Sequence, residues 1–358
     1  MSQKLRDIIV SHIRQFGPMD LGEYMSLCLG HPQHGYYVTR DPFGVKGDFT
    51  TAPEISQMFG EMIGAWVVDT WDKLGRPNPF ALVECGPGRG TLMQDLLRAT
   101  KNVPGFHDAL HLHLLEISPT LKAAQAERLS AYNPVWLDTL DGLPEMPIIL
   151  IGNEFIDALP IRQVKFDEEW LEVVIGADED GKFHAGVKPA DASLVSQLPG
   201  RILERQSDKV FEISPITNAY LMNLSSHIKK RGGVAIFIDY GHAVSECGDT
   251  LQALRDHRFE SPFENPGQAD ITAHVDFENV GRISSAMGLH AFSIVTQGAF
   301  LRSLGIEIRA EVLKRRATEV QAAEIDVALA RLTHENQMGE LFKVIALCHD
   351  PKIELAGF

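Results

Sequence analysis

Cysteine is scarce in this 358-residue chain: Cys28, Cys85, Cys247 and Cys348 lie far apart, and no C-x-x-C pair occurs. A zinc ribbon needs paired thiolates and a disulfide framework needs closely spaced ones, so neither is expected, and a reducing cytoplasm suits the chain. His111 and His113 share a strand face but lack further ligands at metal spacing, so both read as structural and no metal is expected. No apolar run approaches the ~20 residues that a helix needs to cross a bilayer. Positive charge is also short, 33 Lys and Arg against 48 Asp and Glu, for a net charge of −15. Clustered cations supply most of the affinity for a phosphate backbone, so nucleic acid is not an expected partner. The segment Met1–Val10 has helical periodicity and an acid, Asp7, without the apolar core of a signal peptide, so it is expected to belong to the folded protein. Internal repeats and low-complexity linkers are absent too, which favours parts that pack as one unit.

What is present is an ordinary globular composition, 44% hydrophobic and 23% charged, with one informative stretch at Leu82–Leu92. It runs from apolar residues through Glu84 and Cys85 into Gly86, Gly88 and Gly90, then into a helix-like sequence, as a nucleotide-binding strand-loop-helix does. Glycines there allow positive φ and close ligand approach, while the helix start offers free N–H groups. A dinucleotide fingerprint would place its third glycine at Thr91, and a P-loop would need Gly-Lys-Ser/Thr, which is missing. Glu84-x-Gly86-x-Gly88-x-Gly90 instead resembles the first motif of S-adenosylmethionine (SAM) dependent methyltransferases. Glu116 ends the following strand-like run, where a Rossmann-like fold holds a carboxylate for the ribose hydroxyls; a solvated strand-end acid is the alternative. Ser118 and Pro119 then suit the cap and first position of a helix reaching to Ala131.

Residues 1–75 read as an N-terminal helical part with a loop-rich centre at His31–Pro53, and 76–358 as the core. Strands are expected at Phe80–Cys85, Leu110–Glu116, Val135–Leu140, Ile148–Gly152 and Val234–Asp239 with helices between them, an α/β doubly wound parallel sheet. Alternation around Asp178–Gly181 reads as a hairpin within an insertion at about 161–206. Leu289–Thr296 and Phe342–His349 suit an antiparallel edge pair, with a helical insertion at about 306–336 between them. The N-terminal helices, the hairpin tip and the helices after Ala310 are expected to frame the substrate entrance, because binding often resides in such additions.

Two further segments sharpen the reading: Gly47–Glu61, after His34-Gly35-Tyr36-Tyr37, and Gly152-Asn153-Glu154-Phe155-Ile156-Asp157-Ala158-Leu159-Pro160. Together with Glu84–Gly90, Leu115–Pro119, Ile238–Gly241, Asp270–Phe277 and Met338–Lys343, they resemble the MidA-like family of SAM-dependent methyltransferases over nearly the whole chain. The resemblance implies a class I SAM-methyltransferase (Rossmann-like) fold, S-adenosyl-L-methionine as methyl donor, and arginine of a protein substrate as acceptor, a complex I subunit in the mitochondrial members. Ile156 stands where the family usually has a second aromatic residue, and no transit peptide is visible. Both departures suggest a bacterial, cytoplasmic member without stable membrane insertion.

Methyl transfer from a sulfonium is an in-line displacement, so the protein mainly holds donor and acceptor in near-attack geometry. On the donor side, Gly86, Gly88 and Gly90 are expected around the methionine and ribose portions, with Glu116 on the ribose. Glu84 is expected near the amino end, or else bonded to a nearby backbone N–H. Thr50, Thr51 and Pro53 are expected in a lid over the SAM pocket, although a capping box from Thr51 to Glu54 would also explain that segment. On the acceptor side, Glu154 and Asp157 could seat a guanidinium and accept its proton while Asn153 orients the ligand. Caps of a following helix are the competing reading of Asn153 and Asp157. His274 reads better as a hydrogen-bonded core histidine than as a site residue. The competing functions are a non-catalytic assembly chaperone with a retained SAM pocket, a methyltransferase acting on a small molecule or nucleic acid, and an NAD oxidoreductase.

Overall fold

The computed structural model describes residues 2–39 and 51–358. Its centre is a sheet whose six main strands are β1 (Phe80–Cys85), β2 (Leu110–Leu115), β3 (Val135–Leu137), β4 (Ile148–Asn153), β5 (Gly233–His242) and β6 (Phe342–Cys348). The spatial order is β6-β5-β4-β1-β2-β3, with β1 to β5 parallel and β6 antiparallel to β5. Two short pieces, His290–Ala291 and Val295–Thr296, pair antiparallel with the outer edge of β6. The sequence reading of that edge pair thus holds, except that its outer strand is broken, with Phe292 packed on Phe358 between the pieces. The expected strand over Val135–Leu140 stops at Leu137 and gives way to a short helical turn at Leu140–Gly142.

Every residue of β1 and β4 is buried, as continuous apolar runs in a sheet covered on both faces must be. Their side chains alternate between two cores. Leu82, Ile149, Ile151 and Ile236 face the helices Gln57–Lys73 and Thr91–Thr100, while Val83, Leu150 and Phe237 face the helices Pro215–Arg231 and Phe277–Ala286. Gly60 lets Gln57–Lys73 lie directly on Thr91–Thr100, since a Cβ there would come within 2.7 Å of Asp95 Cβ.

A second, antiparallel sheet holds Arg162–Asp167, Glu169–Ala177, Phe183–Pro189 and Phe211–Ile213, joined by Met19–Asp20. The helices Ser2–Phe16 and Leu21–Gly30 share a core with it and with a small sheet of Gln252–Arg255, Arg258–Glu260 and Asp270–Thr272. The helices Gln297–Ser303, Ile306–Lys314 and Glu319–Thr333 lie between the edge pieces and β6 in sequence. They are tied to Gln57–Lys73 by Arg309, whose guanidinium grips the buried Glu61 carboxylate at 2.7 and 3.0 Å. No helix among the described residues is long and apolar enough to cross a membrane.

Candidate active site

β1 delivers Glu84 to the loop Gly86–Gly90, in which Gly86, Gly88 and Gly90 all have positive φ, 62°, 52° and 76°. Only glycine enters that region without strain. The Gly86 amide donates to the Leu115 carbonyl at 3.0 Å and the Gly90 amide to the Pro87 carbonyl at 2.7 Å, which fixes the loop against the end of β2. There Glu116 is buried rather than solvated, and it accepts from the Ser118 amide at 2.8 Å and from Gln125 Nε2 at 3.1 Å. Ser118 and Pro119 do start a helix, which ends at Arg128.

Gln125 is a residue that sequence reasoning missed. It is fully buried, donates also to the Gly88 carbonyl at 2.6 Å, and accepts from Trp136 Nε1 at 2.8 Å, so it couples the glycine loop to Glu116. Its signal was a polar side chain four residues after Leu121, on the inward stripe of its helix. Asp138, Thr139 and Leu140 were missed as well, although they follow a parallel strand at the end where such sheets bind ligands.

Glu84 is almost fully withdrawn from water, and its Oε2 has no hydrogen-bond partner. Burial, reinforced by the charge of Glu116, pushes its carboxyl up to about 8. A buried carboxylate without a cation is costly, and an ammonium placed beside it would remove that cost.

The acceptor side corrects one expectation outright. No helix follows β4, so Asn153 and Asp157 cap none; residues 154–160 form turns. That turn is instead organised by Asp239 at the end of β5, whose Oδ2 accepts from the amides of Phe155, Ile156 and Asp157 at 3.1, 3.0 and 3.2 Å. Glu154 takes φ 50°, and its Oε1 accepts from Asn153 Nδ2 at 3.2 Å and from the Ala52 amide at 3.0 Å. Desolvation raises it to about 7, with the charge of Asp157 adding to the effect. Asp157 is itself raised by burial; the Tyr240 hydroxyl donates to it, and its Oδ1 is unpartnered. Asp239, fully buried beside both, is raised well above the usual carboxylate range.

Thr51, Pro53 and Glu54 reach the glycine loop and, with Glu84, Asn153 and Glu154, line a recess of about 30 Å³. The capping box does not form. Thr51 makes no side-chain cap, and the Glu54 carboxylate accepts from Thr91 Oγ1 at 2.5 Å instead. Thr50 lies outside the described residues.

A cavity of about 950 Å³ joins the two halves, bounded by Gly86, Gly88 and Glu116 on one side and by Glu154, Asp157, Tyr240 and Asp270 on the other. Six carboxyl side chains line it, those of Glu116, Asp138, Asp141, Glu154, Asp157 and Asp270, and no lysine or arginine among the described residues does. Asp270 accepts from the Tyr37 hydroxyl at 2.7 Å. His274 is not a core histidine: it borders the cavity, half-buried, with its ring 5.6 Å from that of Tyr240. The expected frame of the entrance is also only partly met. Ser26, Leu29 and Tyr37 line the cavity, whereas the hairpin tip and the helices Ile306–Lys314 and Glu319–Thr333 do not. The tip packs on the first helix, where Arg6 and Arg14 donate to the carbonyls of Gly181 and Glu179 at 3.2 and 3.0 Å.

Residues 62–295 match the model of a family of putative S-adenosyl-L-methionine-dependent methyltransferases. The chain is 36% identical to a mitochondrial protein arginine methyltransferase NDUFAF7 homolog of Drosophila melanogaster, covering 100% of this chain and 88% of that one. It is 31% identical to the mitochondrial protein arginine methyltransferase NDUFAF7 of Homo sapiens, over 96% of this chain and 82% of that one. Among solved structures, a Burkholderia thailandensis protein crystallised with S-adenosyl-homocysteine superposes with a TM-score of 0.85 at 29% identity, covering 99% of this chain and 94% of that one.

Proposed function

The chain belongs to the family of S-adenosyl-L-methionine-dependent methyltransferases that its match defines, and from that premise we propose that it methylates arginine of a protein substrate, such as a respiratory complex I subunit during assembly, in a bacterial cytoplasm. The observation that carries the acceptor is the cavity wall. Six carboxyls line it and, among the described residues, no lysine or arginine does, so a side chain that is always positive and offers planar forked donors finds complementary charge there.

SAM, the family's methyl donor, supplies an electrophilic methyl group on a sulfonium. The residues present fit it: a glycine loop with positive φ, a buried carboxylate at the end of β2, and an orphaned oxygen on Glu84. In this reading Gly86, Gly88 and Gly90 admit the ligand against the backbone, Glu116 holds the ribose hydroxyls, and Glu84 faces the ammonium. Thr51 and Pro53 close the methionine end.

For the acceptor, Asp157 has an unpartnered Oδ1 and a neighbouring hydroxyl, that of Tyr240, which donates to its carboxyl group. Its raised pKa keeps it near the point where it can both pair with a guanidinium and take up the proton released on transfer. Glu154 supplies a second carboxylate, and Asn153 steadies it through the 3.2 Å bond. Asp239 fixes all three by holding the turn.

Purified protein incubated with labelled SAM and extract of a deletion strain, followed by mass spectrometry, tests the reading. Label on an arginine of a membrane-complex subunit supports it. Label confined to a small-molecule fraction, or SAM binding without any transfer, would replace it.

A further inference from the structure

The small three-stranded sheet forms one wall of the cavity, and its register links the cavity floor to the surface. Asp270 pairs with Leu254, and Leu254 pairs with Phe259, so the three residues stand in a row across neighbouring strands. Directly opposed residues of an antiparallel sheet share a face, and all three line the cavity. Along that row the environment changes in steps: Asp270 is buried, Leu254 is half-buried, and Phe259 is 74% exposed. Ile117, Ile216 and Leu341 also line the cavity and are 53%, 46% and 46% exposed.

Single exposed apolar residues need no explanation, but four around one opening do, because leaving them in water costs free energy that only an occupant recovers. We infer that the substrate is a protein segment in which the target arginine is flanked by apolar residues, read by Phe259, Ile117, Ile216 and Leu341 at the exposed rim of the cavity. This inference rests on the arginine reading given above. The carboxyl floor takes the guanidinium, while the rim takes the neighbours on either side. A glycine-rich arginine segment would reach the floor but leave the rim hydrated. An anionic lipid surface suits the mouth poorly, since the exposed Asp138 and Asp141 line the same cavity and the chain has a net charge of −15.

The test uses the full-length protein with S-adenosylhomocysteine present and three fluorescent peptides: arginine flanked by leucine and valine, arginine flanked by glycine, and the apolar-flanked peptide with norleucine in place of arginine. Anisotropy should show the first binding at least about tenfold more tightly than the second, as burial of two or three aliphatic side chains implies. Phe259→Ser and Ile216→Ser, both at exposed positions where the fold tolerates a polar residue, should remove that preference and leave the glycine-flanked peptide unaffected. Equal binding of the two arginine peptides, no binding of any peptide, or a preference that survives both substitutions would overturn the inference. If the norleucine peptide binds as well as its arginine counterpart, the arginine reading falls while the apolar rim stands. Phe259-dependent sedimentation with phosphatidylglycerol vesicles, or dimerisation lost in Phe259→Ser, would instead assign the rim to a lipid surface or to a second copy.

Discussion

The Ala52 amide donates to Glu154 Oε1 across 3.0 Å, although 102 positions separate them in the chain. One carboxylate therefore borders the large cavity and anchors the start of the short helix Ala52–Ile55 beside the glycine loop. If the proposed acceptor and donor sites are right, Glu154 couples occupancy of the first to the fit of Thr51–Ile55 against the second.

That coupling separates two substitutions. Glu154→Gln keeps an oxygen that can accept from Ala52 but removes the charge, so methyl transfer should fall by about 10²–10⁴-fold with SAM affinity little changed. Glu154→Ala loses the bond as well, and calorimetry should then show weaker SAM binding too. Transfer at the wild-type rate in Glu154→Gln would remove Glu154 from the acceptor site.

Asp157→Asn should reduce transfer over the same range, about 10²–10⁴-fold, because its unpartnered Oδ1 is the carboxylate oxygen free to receive a proton. Single-turnover kinetics with saturating SAM provides the measurement. Asp239→Asn should act differently: the carboxylate uses Oδ2 for three amides and Oδ1 for the Tyr240 amide, and an amide keeps only one of these acceptors and no charge, so the turn loosens, and both thermal stability and transfer should drop.

Gly88→Val places a branched side chain at φ 52°, where strain of about 1–3 kcal/mol arises and the ligand's path along the backbone is blocked. SAM affinity should fall more than about tenfold while circular dichroism reports a retained fold. Unchanged affinity would move the donor away from this loop.

Glu84 gives a pH prediction with a definite sign. Its folded pKa, about 8, lies above the ordinary carboxylate value, so the fold opposes its ionisation. The resulting destabilisation is absent below the unfolded pKa, grows as pH rises toward 8, and is fully present above it. Glu84→Gln should accordingly raise the Tm of the ligand-free protein at pH 8.5 and leave it nearly unchanged at pH 4. Because an ammonium favours the ionised form, SAM binding at pH 7 should release protons. Calorimetry in buffers of different ionisation enthalpy reads that release, and Glu84→Gln should abolish it.

Deletion of the tip Asp178–Lys182 should lower thermal stability and leave the KM for a protein substrate unchanged at temperatures where the variant is folded. The reason is that Arg6 and Arg14 hold the tip on the first helix, away from the cavity. A raised KM without loss of stability would restore it to the entrance.

The sequence by itself determined the local parts of this protein. Strand-loop-helix alternation, the glycines at 86, 88 and 90, and the carboxylates ending β1 and β2 follow from periodicity and backbone sterics within about 35 residues, and the structure places them together. The proposed acceptor residues Asn153, Glu154 and Asp157 were legible as a group, but not their geometry. A cap of a following helix was the natural local reading, and it failed because Asp239, more than 80 positions away, satisfies those amides instead. Tertiary structure alone also decided that Gln125 ties Gly88 to Glu116, that Ala52 closes on Glu154, and that Asp270, Leu254 and Phe259 form one row. Each of these depends on which distant backbone comes to lie alongside, and nothing in the local pattern of polar and apolar residues specifies that; packing of the three sheets and their helices does.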